Sequence, residues 1–134
     1  MKILIIDDEL DTVTTVKAFL FELAAELETA YTGKDGLKKL SSAPNFDLVI
    51  LDFMMAGMNG LDVCKAMSND TKMQKIPVLL ISALPVTSPE LHELLEEFNQ
   101  THMVKGVLEK PFSKKDLLRE VKKITALTKA DQTA

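Results

Sequence analysis

The chain has 134 residues, 46% of them hydrophobic, which suffices for one compact domain with its own core and leaves no room for a second. Its single cysteine, Cys64, cannot form an internal disulfide, so nothing points to an oxidising compartment. The first apolar run, Ile3–Ile6, is cut short by Asp7 and is too short for a signal peptide or a membrane-spanning helix. We therefore expect a cytoplasmic protein without a membrane partner.

The net charge of −4 is unevenly distributed along the chain. Residues 1–109 carry 9 basic and 17 acidic side chains, a net −8, whereas residues 110–134 carry 7 basic and 3 acidic ones, a net +4. The basic end is not dense enough in Lys and Arg, nor interleaved with aromatic residues, to indicate a nucleic-acid site. We interpret it as a solvated helix face, with a docking surface for an acidic partner as the alternative.

Five short segments have the length and composition of β-strands. Runs that are apolar at successive positions are typical of strands covered on both faces by helices, and the second segment is more polar, which favours an edge position. In chain order the segments are Ile3–Ile6, Leu27–Tyr31, Leu48–Leu51, Val78–Ile81 and Val104–Leu108.

Amphipathic helical patterns follow each of these segments. In the first, Val13, Val16 and Leu20 recur at spacings of three and four, and Asp11 or Thr12 is the predicted N-cap. The predicted starts of the other four helices follow Gly33, Asn59-Gly60, Ser88-Pro89 and Ser113. Strand and helix thus alternate five times, which predicts a doubly wound α/β domain with a parallel sheet over residues 1–127, followed by a short polar tail at 128–134.

Polar side chains follow four of the predicted strands. These are Asp7-Asp8-Glu9, Asp52, Ser82 and Lys110-Pro111. In a doubly wound domain the carboxyl ends of the strands meet at one edge, where ligands bind. Carboxylates gathered there would raise one another's pKa unless a cation lay among them, and an oxygen-coordinated ion such as Mg²⁺ suits such a site.

Together these groups contain the parts of an acyl-phosphate site. Asp52 is the predicted nucleophile toward phosphorus, Lys110 supplies positive charge, and the Ser82 hydroxyl can donate to a phosphoryl oxygen. Each residue alone also has a structural explanation, since an Asp or Ser after a strand often caps a helix or forms a turn. The coincidence of four strand ends favours the functional interpretation.

With these residues in place, the chain resembles the receiver domains of two-component response regulators over roughly residues 2–126. The resemblance implies the CheY-like, flavodoxin-like fold with strand order 2-1-3-4-5. Its motifs here are Ile5-Ile6-Asp7-Asp8-Glu9, Leu51-Asp52-Phe53-Met54-Met55-Ala56-Gly57-Met58-Asn59-Gly60, Ile81-Ser82-Ala83 and Glu109-Lys110-Pro111-Phe112.

The resemblance also implies a role for each acidic position. Asp52 matches the phosphorylated aspartate and is a metal ligand, Asp8 matches a direct ligand of Mg²⁺, and Asp7 matches an acid that holds the water molecules of the metal. Met54 would supply its backbone carbonyl to the ion.

The same resemblance assigns the groups that bind the phosphoryl group. Ser82 matches the hydroxyl residue that turns toward it, and Lys110 matches the lysine that binds it. The Lys110–Pro111 peptide bond is implied to be cis.

Three departures from the family pattern stand out. Ala56 replaces a usual proline, and Val107 occupies the switch position, where the family usually has Tyr or Phe. The segment Ser82–Lys110 is also longer than is usual, with Leu84–Pro89 and Asn99–Lys105 as the predicted extra material.

The resemblance implies a phosphorylation-dependent signalling switch of a two-component system or phosphorelay. The partners would be a sensor histidine kinase or histidine phosphotransfer protein upstream and an unknown target protein downstream. We expect a monomer or weak dimer that is no enzyme beyond its own phosphotransfer and self-dephosphorylation. The apolar side chains of Met54 and Leu84 cannot orient an attacking water, which predicts slow self-dephosphorylation.

Three alternatives compete with this function. A phosphatase of the haloacid dehalogenase type would carry its nucleophile after the first strand and a second Asp two residues later, where this chain has Glu9. A flavodoxin-like cofactor module would need a phosphate-binding loop where the acidic run lies. A pseudo-receiver, an interaction scaffold not controlled by phosphorylation, is the remaining alternative because of Val107.

Overall fold

A computed structural model describes residues 1–43, 45–98 and 103–133. The strands are β1 (Lys2–Ile6), β2 (Glu26–Ala30), β3 (Leu48–Asp52), β4 (Val78–Ser82) and β5 (Val104–Glu109). The helices are α1 (Leu10–Leu20), α2 (Gly33–Ser42), α3 (Gly60–Ser68), α4 (Pro89–Phe98) and α5 (Lys114–Thr133), with short 3-10 turns at Phe21–Leu23 and Met73–Lys75.

The five strands form one parallel sheet in the order β2-β1-β3-β4-β5. This confirms the predicted doubly wound α/β fold and the edge position of the second strand. Asp52 pairs in register with Ile81, and Ser82 pairs with Glu109. The carboxyl ends of β3, β4 and β5 therefore lie side by side, as the predicted site requires.

Alternation along the strands divides the core between the two faces of the sheet. Leu4 and Ile6 of β1 pack on the face covered by α2, α3 and α4, where Leu40, Val63 and Leu91 are buried. Ile3 and Ile5 pack on the opposite face with residues of α1 and α5, including Val13 and Leu117. Strands β1, β3 and β4 are thus covered on both sides, which explains their continuous apolar sequences.

Helices α3 and α5 begin where the sequence predicted, next to Asn59 and Ser113, whereas the predicted N-cap of α1 is wrong. Asn59 accepts the N–H of Asp62 at 2.9 Å to begin α3, and Ser113 accepts the N–H of Asp116 at 3.0 Å to begin α5. Helix α1 begins at Leu10, before the predicted caps Asp11 and Thr12, and Glu9 holds the N-cap position without a side-chain cap bond.

The early start of α1 has a local cause. The Asp7 carboxylate accepts the N–H of Glu9 at 2.9 Å, and this bond turns the chain from strand to helix within three residues. A carboxylate that also serves the functional site therefore replaces the expected cap.

The last helix continues to Thr133, through most of the segment predicted as a polar tail. The boundary between residues 127 and 128 stays a prediction. None of the helices in the described part of the chain is both long and apolar enough to span a membrane. Cys64 is fully buried within α3.

Candidate functional site

The carboxyl ends of β1 and β3 bring acidic side chains together. Asp7 follows β1 directly and Asp52 is the last residue of β3, and both are buried, whereas Asp8 and Glu9 are exposed. Each of these four residues has a carboxylate oxygen within 4.8 Å of one from every other. We call these four residues and Lys110 the acidic edge.

Lys110 is the cation of the acidic edge. Its ammonium nitrogen lies 3.1 Å from Oδ2 of Asp7, 3.3 Å from Oδ1 of Asp52 and 3.3 Å from Oε1 of Glu9. A lysine that enters from the loop after β5 therefore holds carboxylates from the ends of two other strands. Four carboxylates against one ammonium leave an excess of negative charge.

The pKa of Asp52 reflects first its burial and then the negative charge nearby. Burial, together with the nearby charge of Asp7, raises this pKa from its ordinary 3.8 to about 7, although Lys110 acts in the opposite direction. Burial by itself lowers the pKa of Lys110, but the charges of Asp52 and Asp7 outweigh burial and leave it above its ordinary value. The acidic edge thus carries more negative than positive charge.

The two carboxylate oxygens of Asp52 differ in their hydrogen bonds within the described part of the chain. Oδ1 accepts a long hydrogen bond of 3.4 Å from the N–H of Met54, while the buried Oδ2 has no hydrogen-bond partner among the described residues. An unpaired buried oxygen is costly unless a ligand satisfies it. With Asp8 exposed beside it and all donors being oxygens, the site fits a hard cation such as Mg²⁺. The ligand role of the Met54 carbonyl stays a prediction.

Ser82 ends β4 beside this cluster and is fully buried. Its hydroxyl oxygen accepts the N–H of Leu84 at 2.9 Å, so the hydroxyl is tied to the loop before α4. Its backbone carbonyl accepts the N–H of Lys110 at 2.7 Å. The Lys110–Pro111 bond is cis, as the family resemblance led us to expect. Ser82 therefore joins the lysine loop to the loop that precedes α4.

The beginning of α3 is packed against the main chain of Asp52 and Phe53. The N–H of Gly60 donates to the carbonyl of Phe53 at 3.0 Å. A Cβ at position 60 would lie 2.7 Å from the carbonyl oxygen of Asp52 and 2.9 Å from Cα of Phe53. Only glycine allows this approach without a shift of the backbone.

The positions that depart from the family lie around this cluster. Val107 on β5 is half-buried and packs against the core face that includes Leu91. Ala56 is exposed, and its N–H donates to Asp8 at 3.3 Å, a bond that a proline at this position could not make. Of the predicted extra segments, residues 99–102 lie outside the described residues.

Sequence reasoning missed the part that Glu9 plays. It noted Glu9 only as a strand-end acid or helix cap, whereas the side chain contacts Lys110, 101 residues away. The uninterrupted acidic run from Asp7 to Glu9 was the available signal. The other predicted residues, Asp7, Asp8, Asp52, Ser82 and Lys110, meet at the sheet edge.

Comparison with known proteins assigns the class of protein. The family model of the response regulator receiver domain matches residues 3–122, and the chain belongs to this family. The sequence is 31% identical to the chemotaxis protein CheY of Pseudomonas aeruginosa over 125 residues, which cover 92% of this chain and 95% of that protein. The predicted family is therefore confirmed.

Longer regulators also match. The response regulator ArlR of Staphylococcus aureus is 29% identical over 123 residues, 92% of this chain and 52% of ArlR. The chain matches 38% of the length of YclJ from Bacillus subtilis, an uncharacterised transcriptional regulatory protein, at 29% identity over 68% of this chain. It thus spans about half or less of these relatives.

Solved structures agree with the fold. The chemotaxis response regulator CheY4 of Vibrio cholerae superposes with a TM-score of 0.79 at 29% identity, covering 92% of this chain and 97% of that one. A receiver domain from Clostridium thermocellum superposes with a TM-score of 0.80 at 24% identity, covering 96% of this chain and 97% of that one.

Proposed function

We propose that this chain is a phosphorylation-dependent signalling switch of a two-component system or phosphorelay, with Asp52 as the phosphoacceptor. The observation that carries the proposal is the buried Asp52 carboxylate, which has one oxygen without a hydrogen-bond partner among the described residues and lies beside three further acids and a lysine. The upstream partner would be a histidine kinase or a histidine phosphotransfer protein, and the downstream target a separate or attached output protein.

In the transfer step an oxygen of Asp52 attacks phosphorus. The bond from phosphorus to the donor's imidazole nitrogen breaks, and its electron pair stays with the imidazole. The product is an acyl phosphate on Asp52. Lys110, already 3.3 Å from the carboxylate, then lies close enough to stabilise the added negative charge.

A divalent cation fits the proposal because the acidic edge carries more negative than positive charge. Asp7, Asp8, Asp52 and the carbonyl of Met54 would hold Mg²⁺, with Asp7 acting through water. When bound, the ion would offset charge on the transferring group. Asp7 and Asp8 hold this position from the end of β1, where the Asp7 side chain is fixed by Lys110 and the Glu9 N–H.

Read-out of the phosphoryl group would begin at Ser82. If the side chain of Ser82 rotates toward a phosphoryl oxygen, as in the family that this chain resembles, its oxygen leaves the N–H of Leu84 and the loop before α4 loses an anchor. Because Val107 has no ring to reorient, we propose that the signal runs through this loop and α4. If amide resonance changes on phosphorylation stayed within the acidic edge, this route would be wrong.

The function is tested by transfer itself. The purified chain would be incubated with Mg²⁺ and acetyl phosphate, and the mass of the intact protein measured. We expect a Mg²⁺-dependent phosphoryl adduct, lost in Asp52→Asn and retained in Asp35→Asn, which removes an exposed carboxylate in the first turn of α2. A folded chain that binds Mg²⁺ but forms no adduct would favour the pseudo-receiver scaffold.

The remaining expectations follow from the same proposal. The chain would turn over no external substrate, and its activities would be its own phosphotransfer and slow self-dephosphorylation. Its place of action would be the cytoplasm, where histidine kinases present their phosphoryl groups. An acyl phosphate that disappeared within seconds in the purified protein would contradict the slow rate.

A further inference from the structure

Lys110 divides its ammonium group among three carboxylates. Oxygens of Asp7, Asp52 and Glu9 all lie within 3.3 Å of its nitrogen. An ammonium has three N–H donors. Lys110 donates hydrogen bonds to Asp7 and Glu9, and Asp52 lies within ion-pair distance. A phosphoryl oxygen must therefore compete with these carboxylates for the ammonium.

The three acceptors differ in how easily they can be released. The side chains of Asp7 and Asp52 are 0% and 2% exposed, whereas that of Glu9 is 64% exposed. A buried carboxylate that loses its partner pays the full desolvation cost, because water cannot replace the lost bond. Glu9 can be hydrated as soon as it leaves, so it is the acceptor that costs least to release.

The main chain presents Glu9 for this contact. Its N–H is held by Asp7 at 2.9 Å, and its carbonyl accepts the N–H of Val13 at 3.2 Å in the first turn of α1. It occupies the N-cap position, but its side chain forms no cap bond and reaches Lys110 instead. The backbone of Glu9 is thus held by two hydrogen bonds, and its side chain can leave Lys110 without breaking either of them.

We propose that Glu9 is the exchangeable partner of Lys110, which competes with the phosphoryl group for the ammonium and so weakens phosphoryl binding. The inference rests on the proposed function, in which Lys110 binds the phosphoryl group on Asp52. Glu9 is a positioning residue in this scheme. It holds Lys110 in the resting state and gives up one N–H donor when the phosphoryl oxygens arrive.

A competing explanation is that Glu9 helps to hold the cation, since its carboxylate belongs to the same cluster as those of Asp7, Asp8 and Asp52. The two roles predict opposite results for Glu9→Gln. Loss of a competitor for Lys110 strengthens binding of a phosphoryl mimic, whereas loss of a metal ligand weakens binding of both the metal and the mimic.

The test is a titration with beryllofluoride, a mimic of the phosphoryl group, at saturating Mg²⁺ and followed by ¹⁹F NMR. The matched control is Asp11→Asn, which removes an equal exposed charge two residues further along, from a carboxylate that forms no ion pair with Lys110 among the described residues. Because exposed ion pairs are worth up to about 1 kcal/mol, we expect Glu9→Gln to bind beryllofluoride about two- to fivefold more tightly than Asp11→Asn. The Mg²⁺ affinities of the two variants should agree within about twofold.

The other possible results of this titration would each contradict either the competition by Glu9 or the proposed function. Equal beryllofluoride affinities for both variants would overturn the competition, and a Mg²⁺ affinity of Glu9→Gln reduced by about tenfold or more would identify a metal ligand instead. If the unaltered chain bound no beryllofluoride at all, the proposed function would fail, and the inference with it. Normal binding by the unaltered chain with no gain in Glu9→Gln would overturn the inference alone.

Discussion

The acidic edge and the side of the molecule formed by α4 and β5 are built in different ways. At the acidic edge, the buried carboxyl groups of Asp7 and Asp52 are held by Lys110 from the loop after β5. On the α4–β5 side, which we take to include the loop before α4, Val107 is only half-buried and its contacts are apolar. Fixed charges suit the proposed phosphotransfer chemistry, whereas contacts that break at little cost suit a surface that is proposed to rearrange.

The comparison predicts that the acidic edge lowers the free energy of unfolding of the metal-free protein. The pKa of Asp52 is raised from 3.8 to about 7, so the folded protein binds the proton of this carboxyl more tightly than the unfolded chain does. The resulting contribution to the free energy of unfolding is complete below the ordinary pKa and is lost as the pH rises through about 7. Because one pKa unit corresponds to roughly 1.4 kcal/mol, the loss between about pH 4 and about pH 8 should be a few kcal/mol. Asp52→Asn should be more stable than the unaltered chain at high pH.

Urea denaturation in EDTA over this pH range measures the effect. The difference in unfolding free energy between Asp52→Asn and the unaltered chain should grow with pH, while Asp35→Asn, which removes only an exposed carboxylate, should follow the unaltered chain. Adding Mg²⁺ at high pH should stabilise the unaltered chain more than Asp52→Asn. A pH-independent difference would mean that Asp52 carries no such cost.

The second prediction concerns the packing of α3 against the acidic edge. A Cβ in Gly60→Ala would lie 2.7 Å from the carbonyl oxygen of Asp52, so the helix start or the strand end must move. Overpacking of this kind costs about 1–3 kcal/mol of unfolding free energy. Lys65→Ala, an exposed change on the same helix, should cost little.

Thermal or urea unfolding of both variants measures the difference. Gly60→Ala should also accept a phosphoryl group more slowly, because the Asp52 main chain is displaced. Equal free energies of unfolding for Gly60→Ala and Lys65→Ala would show that the structure accommodates a Cβ at position 60 without loss of stability.

The smallest effect is expected on the α4–β5 side. Val107→Ala removes two partly buried methyl groups and should lower the free energy of unfolding by about 1 kcal/mol. Since Val107 is not part of the acidic edge, beryllofluoride affinity should stay within about twofold of the unaltered chain. The measurements are urea unfolding and the same ¹⁹F titration. A larger change in affinity would make Val107 a participant in the switch despite its lack of a ring.

The apolar strands and the position of the acidic edge could be predicted because both follow from local sequence. Continuous runs such as Leu48–Leu51 need two covering layers, and parallel strands bring their carboxyl ends together. The start of α1 could not be predicted from cap preferences, because the Asp7 carboxylate accepts the N–H of Glu9 and so starts the helix before the predicted caps. The contact of Glu9 with Lys110 depends on the folded sheet, which joins residues 101 positions apart.

The buried cysteine has a practical consequence. Cys64 is the single cysteine of the chain, and burial raises its pKa to about 12, so the reactive thiolate is scarce near neutral pH. A maleimide dye should leave the native protein unlabelled and should react fully once it is denatured. A second cysteine at an exposed position of α4, as in Glu93→Cys, would therefore take up one dye with Cys64 left in place. Fluorescence could then follow that helix as beryllofluoride is added.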